Sequence, residues 1–242
     1  MTPVLRIEGL QITAGAEAAT PFRLDVAKLM LPRGACLAVA GPSGCGKSTL
    51  LEVIALFRRP QGAVRFQFAP AEDAAAIDLR GSQDRTILRQ GPIGYVPQMG
   101  GVLPFLTARA HIAASLHLAG VAGSRAAKAR LSRLAQALDL TDHMDKRRAA
   151  LSGGQRKRVA LLAGLSVPRA LLIADEPTAG LDAQNAARVM RTLVRIAKDE
   201  GSAVIIATHD TDAAVKAGFD LTEIAQGRLA WDGTCMHGGV HV

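Results

Sequence analysis

Residues 41–49 read Gly-Pro-Ser-Gly-Cys-Gly-Lys-Ser-Thr, directly after the apolar run Ala35–Ala40 and directly before Leu50, Leu51 and Ile54 at helical spacing. No other stretch restricts the fold of the chain so strongly. The glycines let the backbone curl until successive N–H groups converge, which needs a strand to deliver the loop and a helix to receive it. Such a start belongs to α/β folds, whose parallel strands are buried on both faces and read as short, unbroken apolar runs. The runs at 171–174 and 203–207 have the same Val/Ile/Leu/Ala character as 35–40. All nine loop residues, Gly41, Pro42, Ser43, Gly44, Cys45, Gly46, Lys47, Ser48 and Thr49, are candidate contacts to a nucleotide. The backbone would surround the α- and β-phosphates, Lys47 would place a point charge on the β/γ oxygens, and Ser48 would offer a hydroxyl to Mg²⁺.

The rest of the chain organises around that core. Leu5, Ile7, Phe22, Leu24 and Val26 alternate with polar residues on either side of a small-residue loop at 14–20, which predicts two antiparallel strands. Val64, Phe66 and Phe68 predict a further strand. Residues 69–86 are rich in Ala, Asp and Gln and read as a variable surface insert. From about 107 to 140 the apolar spacing (Ile112, Leu116, Leu131, Leu134, Leu138) is helical and predicts a lobe inserted between strands. A helix near 183–199, the strand Ala203–Ala207 and a closing strand pair near 221–232 complete the pattern.

Two more stretches carry chemistry. Leu171-Leu-Ile-Ala-Asp-Glu176 is an apolar strand ending in two carboxylates: Asp175 is placed to hold Mg²⁺, and Glu176 to orient and deprotonate an attacking water. A helix N-cap is the structural alternative, since Pro177-Thr178 suggests a turn. Upstream, Leu151-Ser-Gly-Gly-Gln155 offers the Ser152 hydroxyl and the uncovered N–H groups of Gly153 and Gly154 at the start of another helix. Two phosphate-reading elements in a chain with one nucleotide loop pose the question of what the second one holds.

With all of these in order, the chain resembles the nucleotide-binding subunit of ATP-binding cassette (ABC) proteins over nearly its whole length. Walker A resembles 41–49, the signature 151–155, and Walker B 171–175 with Glu176 as base. Gln98, in Gly94-Tyr-Val-Pro-Gln98, resembles the glutamine that touches Mg²⁺ and reports to the partner. Ala179-Gly-Leu-Asp182 resembles the D-loop, and His209 the histidine that contacts the γ-phosphate. The resemblance implies one domain over 1–242: an α/β P-loop NTPase with a parallel-sheet core, an N-terminal antiparallel β-subdomain and an inserted α-helical subdomain at roughly 99–150. It implies ATP and Mg²⁺ as cofactors, with Lys47, Gln98, Glu176 and His209 catalytic and Ser48, Gln98 and Asp175 at the metal. It also implies a head-to-tail pair, so that Ser152, Gly153, Gly154 and Gln155 grip a nucleotide held by Lys47 of a second copy. Two departures stand out. No aromatic lies near Ala14, where the family stacks one on adenine, and Phe22 is the nearest; looser base selectivity follows. Leu162-Ala-Gly-Leu165 replaces a common Ala-Arg-Ala-Leu and bears on local packing.

Composition narrows the partners. No run reaches the roughly 18 apolar residues of a membrane span, so a transporter reading needs a separate membrane permease and a place at the cytoplasmic face of the inner membrane. The N-terminus lacks the regions of a secretory signal, and Cys36, Cys45 and Cys235 form neither a metal spacing nor a disulfide set, in keeping with a reducing cytoplasm. The net charge of +8 gathers at 125–133 and 146–148 without interleaved aromatics, of which the chain has 3%. A solvated face therefore outweighs both membrane headgroups and nucleic acid as the use of this charge, and a soluble ABC ATPase acting on nucleic acid or the ribosome is the alternative reading. Leu103-Pro-Phe-Leu-Thr-Ala108 together with Ala174-Asp-Glu-Pro-Thr178 resembles the lipoprotein-release and macrolide-exporter branch. Val102, Leu103, Phe105 and Leu106 are expected to be exposed for a permease helix.

Overall fold

β3 (Cys36–Ala40) runs through the centre of the molecule with every residue buried. Its side chains alternate between two hydrophobic clusters: Cys36, Ala38 and Ala40 face one, Leu37 and Val39 the other. β7 (Leu171–Asp175) and β8 (Ala203–Ala207) divide in the same way, with Leu172, Ala174, Val204 and Ile206 on the first face and Leu171, Ile173, Ala203, Ile205 and Ala207 on the second. Cover on both faces is what makes these runs unbrokenly apolar. With β6 (Ile93–Val96), β9 (Asp220–Glu223) and β11 (Val240–His241) they form a six-stranded sheet, ordered β11-β9-β3-β8-β7-β6, in which every neighbour is parallel. A computed structural model describes residues 2–14, 22–81, 85–98, 102–231 and 240–241. The small-residue loop after residue 14, the start of the Gly100-Gly101 stretch and Cys235 lie outside those residues.

The second face is covered by α1 (Lys47–Ile54) and by an antiparallel layer of β1 (Leu5–Ala14), β2 (Phe22–Leu31), β4 (Arg65–Phe68) and β5 (Ile77–Asp78). The register Leu5↔Leu31 and Ile7↔Leu29 and, past Gly9, Leu10↔Val26 and Ile12↔Leu24 pairs buried apolar residues across β1 and β2, the alternation changing phase at Gly9. A bend follows from Gly9, whose φ of +58° belongs to glycine; a β-carbon there would come within 2.8 Å of Val64 Cγ2. Val64 itself is exposed and precedes its strand.

Three expectations change. The closing strand pair near 221–232 is not a ladder of its own. A turn with positive φ at Gln226 and Gly227 separates β9 from β10 (Arg228–Trp231), and the two strands enter different sheets. β9 extends the parallel sheet beside β3, whereas β10 lies parallel to β2 in the order β10-β2-β1-β4-β5. The outer edge of β2 offers unpaired backbone groups, and β10 satisfies them. Residues 69–86 are more than a surface insert: Ala69 and Leu79 are buried and β5 pairs with β4. Val102, expected to be exposed, is buried in the helical cluster.

The other face carries α6 (Ala183–Glu200), α7 (Thr211–Ala217) and the inserted lobe. The helical lobe expected over about 107–140 holds two helices, α3 (Ala108–Leu118) and α4 (Arg125–Ala137), parted by Gly120 and Gly123 at positive φ and capped by Thr107 and Ser124. They pack on α5 (Gly153–Leu165). One glycine sets how close α5 can come to the sheet: a β-carbon on Gly164 would sit 2.5 Å from Val96 Cγ2 of β6. The departure at 162–165 is therefore a close helix–strand approach.

Not all of the basic charge faces water. Arg130 on α4 is buried, donates to the Leu165 carbonyl at 2.9 Å and pairs with Glu200 at the end of α6. Arg158 on α5 is buried too and donates to the Leu138 carbonyl at 2.7 Å. Both guanidiniums tie the lobe to the core.

Candidate functional site

The ends of β3, β7 and β8 lie side by side in register, Ala174 opposite Ile206 and Ala38 opposite Ile206. The loops that follow these strands bring the predicted residues together. After β3 the chain turns through Gly41, Gly44 and Gly46, all at positive φ, and enters α1. Gly46 is the N-cap in the left-handed region at φ 99°, with no side chain capping the helix and no acidic residue in its first turn. The backbone N–H groups at this end have no carboxylate or hydroxyl competing for them, which suits an anion. Lys47 Nζ donates to the carbonyls of Gly41 at 2.6 Å and Pro42 at 3.0 Å, so its charge is held over the loop.

Asp175 ends β7 directly opposite this helix. Burial raises its carboxyl pKa, and a hydrogen bond from Ser48 partly offsets the rise. Its Oδ1 is buried without a hydrogen-bond partner. A buried carboxylate oxygen lacking a donor is a costly group. A hard divalent cation answers that cost, and Mg²⁺ in particular takes one or two protein groups and completes its shell with waters and phosphate oxygens. Ser48 and Asp175 fit this pattern, and no cluster of three or more His, Cys, Asp or Glu occurs among the described residues.

Glu176 follows with φ +49°, in the left-handed region that residues other than glycine seldom occupy. The turn is held from both sides: Glu176 N–H donates to Ala207 at 3.0 Å, and its carbonyl accepts from Ala179 at 3.2 Å. Strain kept by neighbouring structure is a mark of functional positions, and here it aims the carboxylate toward β8. His209, just past β8, brings Nδ1 to 2.8 Å from Glu176 Oε2. That approach lacks aligned hydrogen-bond geometry, since Oε2 has no satisfied partner. The imidazole side chain is 70% exposed and the carboxylate 11%. Gln98 shares a small cleft with Asp175, Glu176 and Lys157. The predicted set Lys47, Ser48, Gln98, Asp175, Glu176 and His209 thus lines one edge of the parallel sheet. The carboxylates are not helix caps: Asp182 caps α6, accepting from Asn185 N at 2.9 Å.

The signature stands apart from that set. Ser152 caps α5, accepting from Gln155 N at 3.2 Å, while Gln155 Oε1 accepts from Ser152 N at 2.9 Å, a reciprocal capping box. Gly153 has open space where a side chain would be. Lys157, one turn further, donates to the Ala179 carbonyl at 2.5 Å, and Gly154 lies against Leu181, so the signature leans on the D-loop. Lys157 carried no signal in the sequence.

Phe22 was the second surprise. In the β1–β2 register it sits directly opposite Ala14. A β-carbon on Gly46 would come within 2.3 Å of its Cε1 and 2.5 Å of its Cζ. The aromatic is therefore an edge-on wall of the phosphate loop, and glycine at 46 is required twice, for its φ and for that contact.

A scan of family models matches residues 24–179 to the ABC transporter family. The chain belongs to that family. Among curated proteins, it is 36% identical over 210 residues to the lipoprotein-releasing system ATP-binding protein LolD of Hyphomonas neptunium, covering 87% of this chain and 90% of that one. It is 33% identical over 232 residues to the macrolide export ATP-binding/permease protein MacB of Marinobacter nauticus, covering 95% of this chain and 34% of that longer protein. Among solved structures, the bacterial ABC transporter cassette MJ0796 superposes with a TM-score of 0.80 at 24% identity, over 93% of this chain and 96% of that one. CbiO1 of Clostridium perfringens, part of the transporter complex cbiONQ, gives 0.75 at 27% identity over 95% and 87%. The expected cassette architecture is the one found.

Proposed function

We propose that this ABC family member is the ATP-hydrolysing subunit of a transporter, working as two identical copies on a separate permease at the cytoplasmic face of the inner membrane. The observation that carries the reading is the division of labour in the site. One chain gathers a loop, a candidate metal site and a base along the ends of β3, β7 and β8, while its signature sits at the start of another helix with open space at Gly153. A head-to-tail pair puts each signature to use on the other copy's nucleotide. The lipoprotein-releasing and macrolide-export relatives favour that branch of the family.

The residues divide the chemistry as follows. Loop N–H groups and Lys47 hold the β- and γ-phosphates, Lys47 exchanging carbonyl partners for phosphate oxygens. Ser48 and Asp175, with Gln98 at the edge, would hold Mg²⁺, which would supply positive charge beside the phosphates. Glu176 accepts a proton from water as the water oxygen bonds the γ-phosphorus and the bond to the β-phosphate oxygen breaks, giving ADP and phosphate. His209, beside Glu176, is placed to donate to the γ-phosphate. Glu176→Gln keeps the shape and removes the proton acceptor. Turnover should fall by about 10²–10⁴-fold while an ATP-bound dimer accumulates, read by phosphate release and sedimentation; an unchanged rate removes Glu176 from this role.

Adenine meets Phe22 rather than a residue of β1. With its edge committed to Gly46, the ring is a wall and not a free stacking platform, so the preference of ATP over GTP should stay below about tenfold. Phe22→Ala should weaken binding of both by about two- to tenfold, the worth of one aromatic contact.

The permease seat is the groove between the lobe and β6. A cavity of about 290 Å³ is lined there by Phe57, Tyr95, Pro97, His111 and Gly164, with Phe57 59% exposed and, on the lobe entry, Phe105 70% exposed. No helix among the described residues is long and apolar enough to cross a membrane, which leaves spanning to the partner. The burial of Arg130 takes one cation out of the basic stretch at 125–133 and further weakens the nucleic-acid alternative.

A further inference from the structure

The signature's glutamine has a partner outside the motif. Gln155 Nε2 lies 2.9 Å from Nε2 of His143, twelve residues upstream in the 3-10 turn Thr141–His143. We propose that His143 is a positioning residue: its ring holds the Gln155 amide in the one orientation that closes the α5 cap, and so keeps the signature ready for the nucleotide of a second copy. The proposal rests on the head-to-tail reading above.

The argument is one of donors and acceptors. An amide presents an oxygen on one side and an NH₂ on the other. The capping box needs the oxygen toward Ser152, whose N–H it accepts at 2.9 Å. The NH₂ then faces His143, and the ring nitrogen it meets must carry no proton. His143 is therefore the tautomer with hydrogen on Nδ1. In the opposite tautomer, Nε2–H draws the amide oxygen to itself and turns the NH₂ onto the Ser152 N–H, two donors face to face, and the box opens. His143 Nδ1 is buried with no hydrogen-bond partner, so among the described residues Gln155 is the ring's polar contact.

The ring is held firmly enough to act as a stop. Its backbone N–H donates to Leu140 at 2.9 Å, its carbonyl accepts from Lys146 at 3.1 Å, and the next residue, Met144, is buried. Arg158, one turn beyond Gln155, donates to the Leu138 carbonyl at 2.7 Å and fixes α5 against the same end of the lobe. With the box closed, the Ser152 oxygen accepts from Gln155 N, and the hydroxyl proton is left to donate outward. The chain of consequence runs from ring nitrogen to amide, from amide to cap, and from cap to the hydroxyl that meets phosphate.

The test uses the full chain in the Glu176→Gln background, where ATP-bound pairs persist. His143→Leu removes the acceptor, and His143→Gln returns one at a similar reach. Monomer affinity for ATP should be the same in all three, because the loop of the same chain sets it. ATP-driven dimerisation should weaken about tenfold in His143→Leu and recover in His143→Gln, a tenfold change being the usual worth of one cap. In a Gln155→Ala background, His143→Leu should have no further effect. Equal loss in the Leu and Gln variants, a parallel loss of ATP affinity, or a full effect of His143→Leu without Gln155 would each show a packing role and overturn the proposal. Ser152→Arg is the control: if it too leaves dimerisation intact, the head-to-tail reading fails and the positioning role with it; if it alone abolishes dimerisation, only the His143 proposal fails.

Discussion

The two helices proposed to read phosphate begin in opposite ways. α1 starts from Gly46 in a left-handed conformation with no side-chain cap, whereas α5 starts from Ser152 with a complete reciprocal box. Neither has an acidic residue in its first turn, so both ends keep the partial positive charge of the helix. The difference lies in what satisfies the first N–H groups. At α1 nothing from the protein's side chains does, and a nucleotide is the partner the loop is shaped for. At α5 the protein satisfies part of the set itself, so the signature stands correctly formed before any phosphate arrives. One end is built to be completed by a ligand, the other to be presented to one.

Lys47→Ala strikes hardest, because it removes the one charge tethered over the loop. Nucleotide binding by the monomer should drop by about ten- to a hundredfold, the scale of a charged hydrogen bond lost from a partly buried site, as equilibrium dialysis will read. Ser152→Arg breaks the other end and should spare monomer binding while abolishing ATP-driven dimerisation. If it weakens the monomer's own affinity, the contrast between the two helices collapses. Gly46→Ala tests why α1 is uncapped: a side chain at φ 99° pressed on Phe22 should cost about 1–3 kcal/mol and lower the melting temperature even without nucleotide. Ser152→Ala is the mildest, removing only the cap acceptor for about 1 kcal/mol. A melting temperature unchanged by Ser152→Ala would mean the box does not stabilise α5.

These contrasts were legible to different degrees. The loop at 41–49, the carboxylates at 175–176 and the order of strands and helices were readable because each rests on neighbours in sequence: a burial pattern, a turn, a motif. What was not readable depends on residues that meet only after folding. The Gly164–Val96 approach joins a helix to a strand nearly seventy positions earlier, and Phe22 reaches Gly46 across a sheet edge. The strain at Glu176 needs Ala207 to hold it. Arg130 read as one more surface cation until Glu200 was placed beside it. Val102 read as bait for a partner because Val102, Leu103, Phe105 and Leu106 carry no sign of which one turns inward.

The seat of β10 has a consequence for how the molecule is made. Residues 228–231 fill the edge of a strand laid down near the beginning of the chain, Asp25 to Leu29. During synthesis the N-terminal sheet keeps that edge open until Arg228–Trp231 has been made, about two hundred residues after β2, since a long-range pairing forms only once both partners exist. A chain cut short before Arg228 therefore has its phosphate loop complete but the edge of β2 unpaired, a template for pairing with another chain.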